Sequence, residues 1–298
     1  MNKKFAIIHE EIHPLLEKIK ERMESLKVEV ELVHWSKISY TTGNNLENYL
    51  SKFDVIYLDR MGEHFSSYYT QLHLLEEFNR RNKDINIINS PEAYAVARNK
   101  ALMALKLEEA DLPIPKTKVV FNIEQVVEFC ESYDNNHFIA KSYLGACAED
   151  IYTFQNSEIP IEVNNLLKRD GVAIVQEFVL NPEKYIWRID VVNSEIIQCN
   201  QRFSYNDDSE TPICNGTMGG DIIIWDPQET PENVKQLAIK AVENLDLCIA
   251  GVDILVSADQ NLYVAEVNPE PDITLGALGF PNKIADFLIF TTSKNNQK

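Results

Sequence analysis

The sequence lacks three features that would indicate secretion or membrane insertion. Its 298 residues contain no apolar stretch that approaches the length of a membrane span. The first apolar run, Phe5–Ile8, is far shorter than the core of a signal peptide. The five cysteines are odd in number and show no C-x-x-C spacing, which argues against a disulfide framework and a zinc knuckle. We therefore expect a protein of the reducing cytoplasm.

Basic residues are also scarce. Lysine and arginine total 28 against 46 aspartates and glutamates, which gives a net charge of −18 at pH 7. The resulting field repels nucleic acid, anionic membranes and other polyanions. We therefore expect neither nucleic acid nor a membrane as a partner, and a bound triphosphate would have to be held by local groups.

The first ninety residues alternate short apolar runs with longer amphipathic ones, which is the pattern of a parallel sheet with crossover helices. The predicted strands are Lys4–His9, Val28–His34, Val55–Leu58 and Ile85–Ile88, and the predicted helices are Pro14–Leu26 and Tyr68–Arg81. At Ser90-Pro91 a serine in N-cap position precedes a proline in the first helical turn, so a new unit is expected to begin there.

The rest of the chain predicts two α+β lobes. A helix should run from this start to about Ala110, where Pro113 and Pro115 stop it. Two more helices are predicted at Ile123–Ser132 and at Pro231–Leu245, the latter capped by Thr230. The predicted strands are Lys116–Phe121, Phe138–Lys141, Ile151–Phe154, Val172–Phe178, Trp187–Val192, Glu195–Arg202, Asp221–Ile224, Gly251–Val256 and Tyr263–Val267. We expect an N-terminal α/β domain over 1–89, a small lobe over 90–175 and a C-terminal lobe over 176–298.

Oxygen-bearing side chains lie within two apolar strands of the C-terminal lobe. Residues two apart in a strand point to the same face, so Glu266 and Asn268 can bind one ion while Asp253 approaches from the neighbouring strand. Oxygen ligands without nearby histidine or cysteine suit Mg²⁺. The sequence therefore predicts a magnesium site formed by Asp253, Glu266 and Asn268 in this lobe.

Three further segments follow one another in a particular order. Arg98-Asn99-Lys100 opens the second unit, Lys141 ends a strand, and Gln176-Glu177-Phe178-Val179 leads into the third unit. In this order they resemble the motifs of the ATP-grasp superfamily and, within it, of RimK-like ligases. The resemblance covers nearly the whole chain. It implies the ATP-grasp fold, a mixed α/β and α+β architecture in which an N-terminal parallel-sheet lobe precedes two α+β lobes that clamp ATP.

The resemblance implies how a nucleotide is held. In the family two lysines hold the phosphates, and Lys100 and Lys141 match their positions. The segment Gln176–Val179 matches the hinge that binds adenine, and Glu183 stands where a family acid meets the ribose. The implied cofactors are ATP and Mg²⁺, with Mn²⁺ as a substitute for the metal.

The resemblance also implies three catalytic residues. Arg188 occupies the place of the arginine in the family's D-x-R motif, and Arg202 that of the arginine that ends the next strand. Asn215, with Gly219 and Gly220, matches an N-x-x-x-G-G stretch near the reacting groups. Arginine suits a carboxylate or a transferring phosphoryl group because its planar donors act bidentately.

The chain departs from the family pattern in the loop that covers the phosphates. The pattern K-x-x-x-G-S-x-G-x-G reads here as Lys141 to Asp150, and of its three glycines only Gly145 remains. Glycine lets backbone amides approach phosphate in conformations that cost other residues energy. Glu149 and Asp150 add negative charge near a polyanion. Ile186 and Met218 also replace a family Asp and Arg. These differences predict altered substrate geometry or weakened catalysis.

The implied reaction is ATP-dependent formation of an amide bond. A carboxylate attacks the γ-phosphate to give an acyl phosphate, and an amine then displaces phosphate. The expected substrates are an amino acid such as glutamate and a peptide or small-molecule acceptor, and the resemblance also allows a homo-oligomer. Arg60 follows the strand Val55–Leu58, near the edge where such sheets bind ligands, and is the candidate for binding a substrate carboxylate.

Two other interpretations stay open at this point. The altered loop would suit a non-catalytic ATP-grasp relative that binds nucleotide or peptide. In addition, the run from His9 to His13 satisfies H-E-x-x-H, the pattern of zinc metallopeptidases, which needs both histidines on one helical face. Since His9 ends a predicted strand and Pro14 follows His13, that context is missing.

Overall fold

The computed structural model describes residues 3–38, 40, 49–60, 68–133, 136–144, 150–155, 158–204, 213–214, 220–271 and 280–294. The strands within these ranges form three sheets of four, four and five strands. The sheets follow one another along the chain, as the sequence patterns predict.

The first sheet is parallel, and its strand order is β2-β1-β3-β4. Its strands are β1 (Lys4–His9), β2 (Glu29–His34), β3 (Val55–Asp59) and β4 (Asn86–Ile88), with helices α1 (Pro14–Ser25) and α2 (Tyr68–Arg81) between them. Every residue of β3 is buried, which is typical of a strand covered on both faces. The predicted parallel-sheet lobe is confirmed.

Two short helices follow the first sheet where one long helix was expected. They are α3 (Pro91–Arg98) and α4 (Lys100–Glu109). The chain breaks at Asn99 because its side-chain oxygen accepts hydrogen bonds from the backbone of Ala101 and Leu102, at 3.1 and 3.2 Å, and so caps a new helix. Because of this break, α4 and its first residue Lys100 do not continue the axis of α3.

The second sheet is antiparallel with the order β5-β8-β6-β7. It contains β5 (Thr117–Val120), β6 (His137–Lys141), β7 (Ile151–Gln155) and β8 (Ala173–Glu177), and helices α5 (Ile123–Glu131) and α6 (Ile161–Asp170) pack against it. Helix α6 was not predicted. Its signals are weak, since Pro160 provides no side-chain cap, but Gly171 ends it at φ 72°, which is a common helix stop.

The third sheet is antiparallel and has five strands in the order β11-β10-β9-β12-β13. It contains β9 (Tyr185–Val192), β10 (Glu195–Phe203), β11 (Ile222–Trp225), β12 (Ile249–Val256) and β13 (Leu262–Asn268). Helix α7 (Glu232–Asn244) packs on one face, and buried residues of α3 and α4 join the same core. Thr230 does not cap α7 as expected, since its hydroxyl bonds to the Asp226 carbonyl instead. The domain boundaries stay predictions.

A last helix, α8 (Phe280–Lys294), returns to the first sheet and was not predicted. Its residues Ile284 and Leu288 share one apolar cluster with Leu16 and Ile19 of α1. The same cluster includes Val192 and Ile249, which belong to the third sheet. The first and third sheets therefore share a continuous core. Within the described ranges, no helix combines the length and apolarity needed to cross a bilayer.

Asn89 joins the first sheet to the third. Its side chain is 1% exposed, and its Nδ2 donates to the carbonyls of Ile249 and Pro269 at 2.8 and 3.0 Å. Its Oδ1 accepts the backbone N–H groups of Cys248 and Ile249 at 2.8 and 3.1 Å. One side chain therefore satisfies four backbone contacts at the ends of β12 and β13.

We predict that Asn89→Ala lowers the free energy of unfolding by about 2–4 kcal/mol, because it leaves buried backbone groups without hydrogen-bond partners. Urea denaturation measures this difference. The control is Asn244→Ala, which removes an exposed side chain that donates a hydrogen bond to the Lys240 carbonyl. An Asn89→Ala protein as stable as this control would show that the junction does not hold the two sheets together.

Candidate active site

A cleft lies between the second and third sheets. It contains about 990 Å³ of empty space when the open solvent at its mouth is included. Among the described residues its walls include Ile139, Lys141, Ile151, Gln176, Glu177, Phe178, Val179, Asn181, Lys184, Tyr185, Ile186, Arg202, Ile213, Cys214, Asp253, Leu255, Ala265 and Glu266. Eight predicted site residues thus line one cleft: Lys141, Gln176, Glu177, Phe178, Val179, Arg202, Asp253 and Glu266.

The three predicted metal ligands come together on β12 and β13. Asp253 lies directly opposite Glu266 in the antiparallel pair, an arrangement that puts side chains on one face about 5 Å apart. Asn268, two residues further along β13, donates from Nδ2 to Asp253 Oδ2 at 3.1 Å. Two carboxylates and an amide therefore form an oxygen-rich donor set. Such a set fits Mg²⁺, which needs only one or two carboxylates when phosphates share it.

Two lysines face this carboxylate pair. Lys100 Nζ lies 2.7 Å from Glu266 Oε1, in a pair that is largely shielded from solvent. Burial alone would raise the pKa of Glu266, but Lys100, with Lys141 and Arg98 further away, outweighs it and lowers that pKa. Burial lowers the pKa of Lys141 to about 8; the charge of Lys100 acts in the same direction, and Glu266 opposes both. Lys141 is therefore held in a poorly solvated place beside the carboxylate pair.

Arg188 lies buried across β9 and β12. Its Nε contacts Asp190 Oδ1 at 3.0 Å, its Nη1 contacts Asp253 Oδ2 at 3.3 Å, and its Nη2 donates to the Glu270 carbonyl at 3.2 Å. A Cβ on residue 251 would overlap the guanidinium, so only glycine leaves it room. Arg188 thus orients Asp253. Its catalytic role stays a prediction.

Arg202 lies on the same face of β10 as Asn200, whose partner in the strand register is Arg188. Arg202 lines the cleft, and its Nε donates to Asn200 Oδ1 at 3.2 Å. Asn200 is fully buried, and among the described residues its Nδ2 has no hydrogen-bond partner. A buried donor left open beside an arginine fits a site that receives an anionic group.

The predicted hinge closes the other wall of the cleft. Glu177 Oε1 accepts the Lys116 N–H at 3.0 Å, and Gln176 Nε2 donates to Thr117 Oγ1 at 2.7 Å. Phe178 and Val179 continue the chain beyond β8 and line the cleft. Glu183 is exposed on the next loop and is not among the described lining residues. Its contact with a ribose stays a prediction.

Arg60 immediately follows β3 and has a left-handed φ of 45°. It stands at the carboxyl end of the first sheet. The charges of Arg60 and Glu270 both reach the Tyr57 hydroxyl, where Arg60 lowers its pKa and Glu270 raises it. Arg60 is therefore on the side of the first sheet that approaches the segment after β13, although it is not among the residues that line the cleft.

The zinc-protease interpretation is wrong. His9 ends β1, and His13 caps α1 by accepting the Leu16 N–H while its Nε2 contacts Asp59 at 2.8 Å. The two histidines therefore do not share a helical face. Across the ranges given above, no three His, Cys, Asp or Glu side chains are arranged to hold a metal.

Some predicted residues lie outside the described ranges. Asn215, Met218 and Gly219 are among them, as is the segment 145–149 of the altered loop. The sequence reasoning missed Glu270, whose side chain contacts the Tyr94 hydroxyl and lies 3.6 Å from Arg98. Its position two residues after Asn268 was the available signal.

Comparison with known proteins decides the family. The model for the RimK-like ATP-grasp domain matches residues 97–282, more than half of the chain. The chain belongs to the RimK-like ATP-grasp family. The resemblance read from the motifs is thereby confirmed.

Two relatives of this RimK-like chain are tetrahydromethanopterin:α-L-glutamate ligases. That of Methanocaldococcus jannaschii is 30% identical over 197 residues, which cover 64% of each chain, so the match spans less than two thirds of that relative's length. That of Methanococcus maripaludis is 25% identical over 280 residues, or 90% of each chain.

Solved structures confirm the ATP-grasp fold. The ligase PsnB, solved in complex with a minimal precursor, has a TM-score of 0.72 at 15% identity and covers 99% of this chain and 100% of its own. The D-cycloserine synthetase DcsG has a TM-score of 0.72 at 17% identity, with 97% and 99% covered.

We predict that Gly251→Ala destabilises the protein by roughly 3–5 kcal/mol, because the methyl group expels the Arg188 guanidinium and leaves buried carboxylates unpaired. The control is Gly171→Ala, where a Cβ meets nothing within 4 Å and only the positive φ is costly, by roughly 1–2 kcal/mol. Urea denaturation compares the two. A loss at Gly251 no larger than that at Gly171 would mean that Arg188 is not fixed by this contact.

Proposed function

We propose that this chain is an ATP-dependent carboxylate–amine ligase. The observation that carries the proposal is the pair Asp253 and Glu266, which lie opposite each other on neighbouring strands and line one cleft, with Lys100 bonded to Glu266. Membership of the RimK-like ATP-grasp family supports it. The named relatives are glutamate ligases, which supports an amino acid such as glutamate as one substrate.

ATP fits the cleft in one orientation. The adenine ring lies against the hinge Gln176–Val179, with Glu183 near the ribose, and the phosphates extend towards Lys100 and Lys141. Asp253, Glu266 and Asn268 hold Mg²⁺, or Mn²⁺ in its place. A metal held by these three residues would supply charge neutralisation for the phosphates.

The protein's own part in the reaction is alignment and charge stabilisation. A carboxylate oxygen of one substrate bonds to the γ-phosphorus as ADP leaves. The amine of the second substrate then bonds to the acyl carbon, phosphate leaves, and the amine loses a proton. Arg202 and Asn215 stabilise the charge that develops on the transferring groups, and Arg188 keeps Asp253 in place. Arg60 binds a substrate carboxylate.

The substrates include a small amino acid and an amine- or carboxylate-bearing acceptor, either a small molecule or a peptide. ATP-grasp neighbours have been solved in complex with precursor peptides, which supports a peptide acceptor. A cytoplasmic location and a homo-oligomeric state also belong to this proposal. Cys130, Cys199, Cys214 and Cys248 are free thiols, which supports a reducing compartment.

The first test measures Mg-ATP-dependent phosphate release with a panel of amino acids and acceptors. Hydroxylamine, added without an acceptor, identifies the activated carboxylate by converting its acyl phosphate to a hydroxamate. Excess chelator should stop turnover, and added Mg²⁺ should restore it. ATP binding with no turnover for any pair would favour the non-catalytic relative instead.

We predict that Asp253→Asn and Glu266→Gln each lower kcat by about 10²-fold or more, because each removes a carboxylate that would hold the metal and so weakens the stabilisation of the transferring phosphoryl group. Steady-state phosphate release measures this, with thermal unfolding to confirm that each variant folds. The matched control is Asp286→Asn, which weakens an ion pair with Arg22 far from the cleft. If all three variants turn over alike, the two carboxylates do not serve catalysis.

We predict that Arg60→Gln raises the KM of the carboxylate substrate by about tenfold or more and leaves the KM of ATP unchanged, because it removes a charge-assisted hydrogen bond. Initial rates over both substrates separate these constants. Arg22→Gln serves as the control, since Arg22 pairs with Asp286 on α8. A rise in the KM of ATP instead would place Arg60 in nucleotide binding.

A further inference from the structure

Asp150 closes the base of the hairpin between β6 and β7. Its carbonyl accepts the Ser142 N–H at 3.2 Å, and the next register pair joins Lys141 to Ile151. The φ of Asp150 is 53°, in the left-handed region. Asp150 therefore fixes the backbone next to Ile151, which pairs with Lys141. Lys141 lines the cleft.

The left-handed conformation is costly for most side chains, and aspartate is one of the few residues besides glycine that adopt it readily. Asp150 stands at the last glycine of the pattern K-x-x-x-G-S-x-G-x-G. The structure thus keeps a glycine-like backbone at a position that has lost its glycine. An alanine at position 150 would favour a negative φ and would therefore change the backbone conformation at the base of the hairpin.

Four side chains tie the hairpin base to the end of α6. Arg169 Nη2 lies 2.8 Å from Asp150 Oδ2 and 2.7 Å from Asp170 Oδ2. Asp170 Oδ2 in turn accepts the Ser142 hydroxyl at 3.2 Å. Both strands that leave the hairpin base are therefore linked through one arginine, and Asp150 also accepts the Tyr152 hydroxyl at 3.1 Å.

Arg169 also offsets the acidity of the hairpin base. The hydrogen bond from Arg169 lowers the pKa of the Asp170 carboxyl, so this group is negatively charged at neutral pH. The carboxylate of Asp150 shares the same guanidinium. Without Arg169, two carboxylates next to the strand of Lys141 would repel any phosphate that approaches it.

We propose that Asp150, Arg169, Asp170 and Ser142 form a clamp that positions Lys141 for nucleotide phosphate. The clamp rests on the proposed function, because it assumes that the cleft binds ATP. Arg169 and Asp150 act through Lys141, so they are positioning residues. The Arg169 side chain is 55% exposed, and ion pairs of such exposed side chains contribute little to folding stability, so we expect the clamp to act mainly on binding.

The first experiment compares the affinities of Mg-ATP and adenosine by calorimetry. Arg169→Ala should weaken Mg-ATP binding by about tenfold, since two nearby carboxylates lose their counter-charge, and should leave adenosine binding unchanged. Arg169→Lys should recover most of the affinity, because it keeps the charge. The control is Arg80→Ala, which removes an equally exposed arginine paired with Glu77 on α2.

The second experiment separates backbone conformation from charge. Asp150→Gly should bind Mg-ATP more tightly than Asp150→Ala, because glycine adopts the left-handed conformation freely, and its remaining loss measures the contact with Arg169. Asp150→Ala should bind about tenfold more weakly, since nucleotide must restore a strained backbone. If Asp150→Ala lowers the melting temperature but leaves the Mg-ATP affinity unchanged, Asp150 is only structural and the clamp is overturned.

The outcomes distinguish the two proposals. A natural protein that binds neither Mg-ATP nor adenosine overturns the proposed function, and the clamp falls with it. If the natural protein, Arg169→Ala and Arg80→Ala all bind Mg-ATP equally tightly, the clamp is overturned and the proposed ligase function is not affected.

Discussion

The buried guanidinium of Arg188 is the contact on which the candidate active site depends. A charge removed from water must be paired and hydrogen-bonded, and Arg188 meets this need with Asp190, Asp253 and the Glu270 carbonyl. That requirement excludes a side chain at Gly251. It also fixes the carboxylate of Asp253, which is the centre of the predicted metal set. The packing of Arg188 against Gly251 and the position of the Asp253 carboxylate therefore depend on each other on this face of the third sheet.

The segment after β13 extends this constraint to the first lobe. Asn268 contacts Asp253, the Pro269 carbonyl accepts from Asn89, and the Glu270 carbonyl accepts from Arg188. The Glu270 side chain is held from a third direction by Tyr94 and Arg98. Three consecutive residues are thus anchored to different parts of the chain. The position of Asn268, and hence of the donor set, depends on the junction between the first and third sheets.

Sequence reasoning predicted what periodicity and order encode. The strands of all three sheets and the pairing of Asp253 with the β13 ligands follow from alternation, because residues two apart share a face. The break at Asn99 depends on a side chain that competes for backbone N–H groups, which is a weak signal inside a helical pattern. Helix α6 begins without a side-chain cap, so its start carried little information.

Contacts between distant segments were beyond the sequence. Asn89 and Ile249 are 160 residues apart, and no local pattern relates them. The same holds for Arg169, whose pairing with Asp150 depends on how α6 packs on the second sheet. The sequence indicated that Asp150 adds unfavourable charge near the phosphates. The structure pairs that charge with an arginine, so the effect of the substitution on phosphate is smaller than its formal charge suggests.

The overall acidity of the chain and the local chemistry of the cleft act at different ranges. The net charge of −18 repels a free triphosphate at a distance, whereas the proposed phosphate-binding groups act locally: Lys141 and Arg202 on the cleft wall, and Lys100 beside Glu266. A nucleotide that arrives with its metal carries less negative charge and meets less of that repulsion. Once inside, it would bring phosphate charge close to Lys141, a poorly solvated lysine whose pKa burial lowers to about 8. The charge distribution therefore favours the metal-bound nucleotide at both ranges.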